Sequence, residues 1–584
     1  MQDRSLAWGL RIVFGLLVFA VLVTAILIRP AKWLSDFDQS FYLTIAYDLN
    51  HHGVFSNGVF DKVNSTVAVP PPGIFFGPIY PWLIVAATKV DDRFAKAVDC
   101  SVQDTNKVHD SADCDAYARP MLIMHAAFLA LGVLAVAFAA ELIFTSSAVF
   151  WLAGSLATLA LLPDADLFSF VMTESVTFSL YSIAALALVL ALKAPRLSRI
   201  ALAGLLFGLL CLTRPSFVVL VPVVIGLIAV NDIWLSPVRW RSVLSHGFAF
   251  ALAWLVIVGP WLVRNAVSAG KWGLTEEYGS AALIERFAFD DMTAREFVLA
   301  FPYCLPGIGE PVVNWAFGPQ AMARFVYYKP GSFFNVGRLR RDQLVEAHGR
   351  LDPLIKGLIR DEMAERWWRY LLVSLPLAWC GMWVGGWFGL ALVPLFGCAC
   401  VMAVRRSKPL FLLYAAPAVV MLALHAVVAN HYTRYNLILI GPFRRRRRLD
   451  RGADRPAGHQ AAPAGIAECR APDRQCAPAR RVIGLVHAGA GELDHLSPLL
   501  GFIDDDLAEI RGRAAHRHSA HFGQPRLDVR VGQRFVDRLV EHRNDLGRRA
   551  LGRAHAKPRA RLVARHGVGD GRHVRQRIRA LRRW

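Results

Sequence analysis

Residues 8–28 read Trp8-Gly9-Leu10-Arg11-Ile12-Val13-Phe14-Gly15-Leu16-Leu17-Val18-Phe19-Ala20-Val21-Leu22-Val23-Thr24-Ala25-Ile26-Leu27-Ile28. As a helix rising about 1.5 Å per residue, this apolar run is long enough to cross a hydrocarbon core of roughly 30 Å. It carries no small-residue cleavage site and further apolar runs follow, so it reads as a retained first helix and not as a signal peptide.

Eight more runs of this kind fall at 120–144, 148–162, 171–192, 199–212, 217–233, 243–263, 382–403 and 410–428, and a tenth begins at Tyr435 and stops at Phe443. Of the 584 residues, 55% are hydrophobic and 19% are charged, which is too apolar for a soluble enzyme and too long for a bare anchor. The expected fold is therefore an all-α polytopic membrane bundle.

The formal charge of +21 conceals two unlike parts. Residues 444–584 hold 32 basic and 15 acidic side chains, so the surplus belongs almost entirely to that segment. Within the first part, loop charges set the orientation. Lys193, Arg196 and Arg199, then Arg239 and Arg241, then Arg405, Arg406 and Lys408 are separated by even numbers of spans. All three groups share one side, which the positive-inside rule makes cytoplasmic. The long polar stretches 29–119 and 264–369 then lie outside. Of the nine cysteines, Cys211, Cys380, Cys398 and Cys400 read as small apolar core residues. Cys100 and Cys114 share the first external loop, where an oxidising compartment permits a disulfide.

Six polar elements all fall on the external side. The first is Ser35-Asp36-Phe37-Asp38-Gln39-Ser40-Phe41-Tyr42. Asp36 reads as a helix cap and Asp38, which at helical spacing shares a face with Tyr42, as a functional acid. Next come Pro70-Pro71-Pro72-Gly73 with Tyr80-Pro81-Trp82, Thr173-Glu174-Ser175, and Leu212-Thr213-Arg214-Pro215. The last two are Gly259-Pro260-Trp261-Leu262-Val263-Arg264-Asn265 and His431-Tyr432-Thr433-Arg434-Tyr435. Glu174 alternatively caps its span, and Arg264 and Arg434 alternatively snorkel to the interface.

In order and topology these elements resemble the GT-C-fold glycosyltransferases that use polyprenyl-phosphate sugars, the group containing protein O-mannosyltransferases and aminoarabinose transferases. The resemblance covers about residues 8–443. It rests on Asp38 with Tyr42, on Pro71, Pro72, Tyr80 and Pro81, on Thr173-Glu174, on Arg214, on Pro260 to Asn265, and on Arg434-Tyr435. The sequence departs from the pattern at Gln39, where members often have a second acid, so the acidic pair would be Asp36 and Asp38.

The resemblance implies a GT-C-like bundle with two large external loops. It also implies transfer of a sugar from a polyprenyl-phosphate carrier to an acceptor at the outer face of the plasma membrane. Asp38 would be the base, with Asp36 as its neighbour and Glu174 as its partner, or Asp38 and Glu174 would hold a divalent metal ion. Arg264, Arg434 and Arg214 would grip the carrier phosphate, with Tyr42, Tyr80 and Asn265 in the substrate site. The partners expected are the lipid-linked donor, membrane lipid and an acceptor, without nucleic acid. A transporter of a lipid-linked substrate and an inactive, truncated homologue are the alternatives.

Arg444–Arg448 interrupts the tenth run after nine residues, and poly-Arg is costly in hydrocarbon. The segment 444–584 has 31 Arg against one Lys. A basic binding region, a disordered extension and an out-of-frame reading of GC-rich DNA compete, and the Arg bias with the broken span favours the last.

Overall fold

The structure is a computed structural model that describes residues 2–36, 38–58, 69–105, 114–235, 239–327, 329–364, 366–429 and 432–441. The Arg-rich segment 444–584, together with His431 and Phe443, lies outside them. Among the described residues there is no strand.

The chain opens with α1 (Gln2–Leu27), then crosses the first long polar stretch with α2 (Gln39–His52), α3 (Ile79–Val90) and α4 (Asp92–Thr105). The bundle continues with α5 (Arg119–Phe144), α6 (Ser147–Leu161), α7 (Glu174–Lys193), α8 (Leu197–Thr213), α9 (Leu220–Val230) and α10 (Trp240–Ala269). The second long polar stretch holds α11 (Tyr278–Phe287), α12 (Ala294–Tyr303), α13 (Gly309–Phe317), α14 (Phe333–His348) and α15 (Asp352–Leu358). Then come α16 (Trp367–Gly381), α17 (Gly389–Arg405), α18 (Pro409–Val428) and a tight 3-10 run, Thr433–Ile440.

Among the described residues, eight segments are long and apolar enough to cross a membrane, and α8, at 17 residues, is a shorter apolar helix between two of them. The protein is an all-α polytopic membrane protein. Burial differs sharply among the spans: 78% of α7 is enclosed against 17% of α1. So α7 is the bundle's axis and α1 lies on its rim, turning Leu10, Ile12, Leu16 and Leu17 outward where only lipid satisfies them. Where helices touch, small residues let backbones approach. A Cβ on Gly204 of α8 would stand 2.4 Å from the Phe250 carbonyl of α10.

Two expectations need correction. The run expected over 382–403 is a helix, α17, only from Gly389, because residues 382–388 form a turn in which Gly385 and Gly386 both take positive φ (75° and 55°). The shorter helix α16 precedes that break, with Trp367, Trp368, Leu371 and Leu375 exposed along it. Cys380 is not a free core residue. It is bonded to Cys304, which fastens α12 to α16. The Cys100–Cys114 disulfide, which the sequence left open, is formed.

The tenth run is present only as Thr433–Ile440, whose Leu437, Ile438, Leu439 and Ile440 are buried in the bundle core. It descends beside α18. His425 of α18 meets Asn436 at 2.9 Å, and the Asn436 amide donates to Gly381 O at 3.0 Å.

Candidate functional site

Asp38 occupies the residue before α2, yet its side chain makes no capping bond. Its Oδ2 instead accepts from Nη2 of Arg434 at 2.8 Å, and the carboxylate is 47% exposed. Arg434 is held in turn by Tyr435, whose ring lies 5.1 Å from the guanidinium and whose hydroxyl accepts at 3.3 Å. The same ring lies 4.8 Å from the Arg214 guanidinium. Tyr435 thus separates two cations, and each cation has its own acid.

The acid for Arg214 is Glu174, with Oε1 3.9 Å from Nη2 and the side chain 5% exposed. Its Oε2 is buried without a hydrogen-bond donor among the described residues. Such an atom costs about 1–3 kcal/mol in a folded protein, so it marks a place where a ligand donor would be welcome.

The approach of these parts depends on Gly77, where a Cβ would stand 2.2 Å from the Leu212 carbonyl. This close contact seats the proline-rich segment of the first loop against the Arg214 turn. From there Tyr80 is buried, with its hydroxyl 2.9 Å from Nε2 of His125, whose Nδ1 lies 3.1 Å from Phe168 O. A carbonyl only accepts, so Nδ1 carries the proton, Nε2 accepts, and the Tyr80 hydroxyl donates to it. Tyr42 packs edge-on against Tyr80 at 5.1 Å.

Electrostatics tie the group together. Burial pushes the Tyr42 phenol well up, the charges of Tyr278, Asp38 and Glu174 add to this, and Arg214 opposes it. The Tyr278 phenol is raised by burial and by the charges of Tyr435 and Asp38, against Arg214 and Arg434. Burial works against the Arg434 charge, but Tyr435, Asp38 and Glu174 outweigh it and hold the guanidinium above its ordinary value. Asp38, Tyr42, Tyr80, Glu174, Arg214 and Arg434 therefore form one neighbourhood.

Three expected residues are elsewhere. Arg264 donates to Gly73 O at 2.7 Å and to Phe55 O at 2.9 Å, between the Trp261 and Phe55 rings. This is a latch on the backbone of the proline-rich loop, and its guanidinium is occupied. Asn265 is fully buried and donates to Gly273 O at 2.7 Å, which closes the turn after α10. Asp36 senses Lys32 and has its carboxyl raised by burial, with no link to Arg434 or Arg214. The second acid expected beside Asp38 is Gln39, which donates to Trp33 O at 2.6 Å and accepts from Val171 N at 3.0 Å. A neutral amide does both jobs; a carboxylate could not donate.

Asp38 and Glu174 do not fit a metal ion as they stand. Each faces a guanidinium, and no third ligating side chain joins them among the described residues. The one trio of carboxylates within mutual reach there is Glu276, Glu277 and Asp352. That trio is already satisfied, by Lys271, Arg350, Ser280 and the backbone of Leu351.

Sequence reasoning missed His125, which lies inside an apolar span, where a polar residue was the available signal. It offered Tyr278, the first residue of α11, only as one of several aromatics in the second polar stretch that could stack on a sugar or anchor the interface.

No family model matches the chain, and no solved structure matches it. A curated relative, protoheme IX farnesyltransferase 1 of Lysinibacillus sphaericus (strain C3-41), is 26% identical over 130 residues. That region is 22% of this chain and 43% of the relative, so the match spans less than half of the relative's length.

Proposed function

We propose that the protein is a membrane transferase that moves a sugar from a polyprenyl-phosphate carrier to an acceptor at the extracytoplasmic face. One observation carries this reading: two acid and arginine pairs, Asp38 with Arg434 and Glu174 with Arg214, meet around Tyr435 from four distant parts of the chain. A half-exposed carboxylate beside two guanidiniums has the parts that such a transfer needs.

In this mechanism Asp38 takes the proton of the acceptor hydroxyl as its oxygen attacks the anomeric carbon. The bond from that carbon to the carrier phosphate breaks, and the phosphate leaves with the electron pair. Arg214 and Arg434 stabilise the departing charge, with planar forks suited to phosphate oxygens. Tyr42, Tyr278 and Tyr435 offer ring faces and hydroxyls for the sugar.

Several facts support the reading. The elements that resemble the GT-C glycosyltransferases are the ones that converge here, Arg264 and Asn265 excepted. The partial relative is named as a farnesyltransferase, so an isoprenoid substrate in a membrane suits both likenesses. A cleft of about 690 Å³ runs between the first loop, α8 and α10. It is lined by Phe55, Ile79, Trp82, Leu212 and Trp261, a largely apolar surface suited to a prenyl chain, and the latch residue Arg264 is also part of its wall. The Cys100–Cys114 disulfide lies in the first stretch that the basic loops place outside, as an oxidising compartment requires, and Cys304 of the second disulfide lies in the other.

The test is to incubate proteoliposomes with radiolabelled polyprenyl-phosphate sugars and identify the labelled product. A transferase moves the label to a new acceptor; a transporter leaves the glycosidic bond to the carrier intact.

A further inference from the structure

A second cavity, of about 330 Å³, opens on the external side at the ends of α1 and α5, and the reading above does not use it. Four cations line it: Arg29, Lys32, Arg93 and Arg119. Two are neutralised. Lys32 pairs with Asp166 at 2.7 Å and Arg93 with Asp115 at 2.8 Å. A third carboxylate nearby, Asp91, accepts from the Tyr117 hydroxyl at 2.9 Å. The guanidiniums of Arg29 and Arg119 have no hydrogen-bond or ion-pair partner among the described residues, so the cavity keeps a net positive charge.

Position defines what can fill it. Arg29 follows the last turn of α1 and Arg119 is the first residue of α5, so both lie where two spans leave the hydrocarbon. The N-terminus of α5 adds its own partial positive charge. The inner side is apolar, through Leu27, Leu34 and Leu122. Around the rim, Arg93 stacks on Tyr117 at 4.2 Å and Lys32 on Phe170 at 5.0 Å, as aromatic rings do at headgroup depth. An oxyanion above an apolar body matches this cavity, and a free inorganic anion would leave its apolar side unfilled.

We propose that this cavity binds the phosphate of a net-anionic membrane phospholipid of the outer leaflet, with Arg29 and Arg119 holding the phosphate oxygens and Leu27 and Leu122 meeting the first methylenes. The partner is bound lipid, distinct from any substrate at the Asp38 site, and the inference stands whether or not the transferase reading does.

The test is native mass spectrometry of the full chain in detergent, titrated with phosphatidylglycerol, with phosphatidylcholine and with inorganic phosphate. The variants are R29Q/R119Q and, as a control for charge alone, R360Q, whose arginine is exposed and paired with Asp361. At about 1 kcal/mol per surface arginine, the double variant is expected to bind phosphatidylglycerol roughly thirtyfold more weakly with its melting temperature unchanged. R360Q is expected to bind as the natural protein does, and phosphatidylcholine to bind less well. The proposal is overturned by equal binding of the two lipids to the unsubstituted protein, which needs no variant to fold. It is also overturned by unchanged phosphatidylglycerol binding in the double variant, or by displacement of the lipid with an equal concentration of inorganic phosphate.

Discussion

Asp38 and Arg434 are 396 positions apart in the chain, and their side chains meet at 2.8 Å. The pair joins the first external loop to the segment after α18, so it closes the site across the whole bundle. Replacing Asp38 by Asn keeps the shape and removes the base. Turnover is expected to fall by about 10²–10⁴-fold, the contribution typical of a positioned base, while membrane insertion and thermal stability persist. Assay of transfer beside a melting curve separates the two effects, and near-normal turnover would dispose of the base assignment.

Arg434→Lys is expected to be a poor replacement. Lysine keeps the positive charge but offers one point of contact where the guanidinium reaches Asp38, Tyr435 and the Met172 sulfur at once. Turnover should drop more than donor binding, measured as separate effects on kcat and KM. A lysine variant with full kcat would show that the fork is dispensable.

Arg264 gives the opposite pattern. Its removal strands the Gly73 carbonyl, at about 1–3 kcal/mol, leaves the Phe55 carbonyl only the Gly73 N–H, and loosens the proline-rich loop. Arg264→Ala should therefore lower the melting temperature and reduce activity only as far as the folded fraction falls. Full stability with no activity would instead return Arg264 to the substrate site.

Gly77→Ala tests the seating of the first loop. The added methyl would meet the Leu212 carbonyl at 2.2 Å, so the loop and the Arg214 turn must part. Overpacking of this kind costs about 1–3 kcal/mol. Loss of transfer together with increased proteolysis of the first external loop is the expected result.

Acid should loosen the first external loop. The Asp91 carboxyl is held below its ordinary value by the backbone N–H of Phe94, and then by the Tyr117 hydroxyl. A depressed folded value means that its contribution is complete above the ordinary carboxylate range and disappears as pH falls through the lower folded value. Melting curves of the natural protein and D91N should differ at neutral pH and converge in strong acid. A constant gap at every pH would contradict this assignment.

How much of this was legible beforehand depended on whether the signal was local. The spans were, because length and apolarity are properties of a short window. The start of α17 was misplaced, since α16 is also apolar and the turn between them holds Gly385 and Gly386 at positive φ, and the run 199–212 forms a helix, α8, that is shorter than a full span. Asp38, Glu174 and Arg434 could be chosen as polar residues at one face. Arg264 had the same appearance, and only the positions of two carbonyls distant in sequence distinguish a latch from a phosphate grip. The Cys304–Cys380 bond spans 76 residues, and Tyr278 carries no pattern of its own, so both needed the fold.

The most direct measurement is transfer of radiolabel from a polyprenyl-phosphate sugar in proteoliposomes, run with the unsubstituted protein and with D38N in parallel. Label should leave the carrier and appear on a new acceptor with the first and stay on the carrier with the second. Label that remains on the carrier with the unsubstituted protein while the lipid itself crosses the bilayer, or that moves equally well with D38N, would contradict a glycosyl-transfer site built on Asp38.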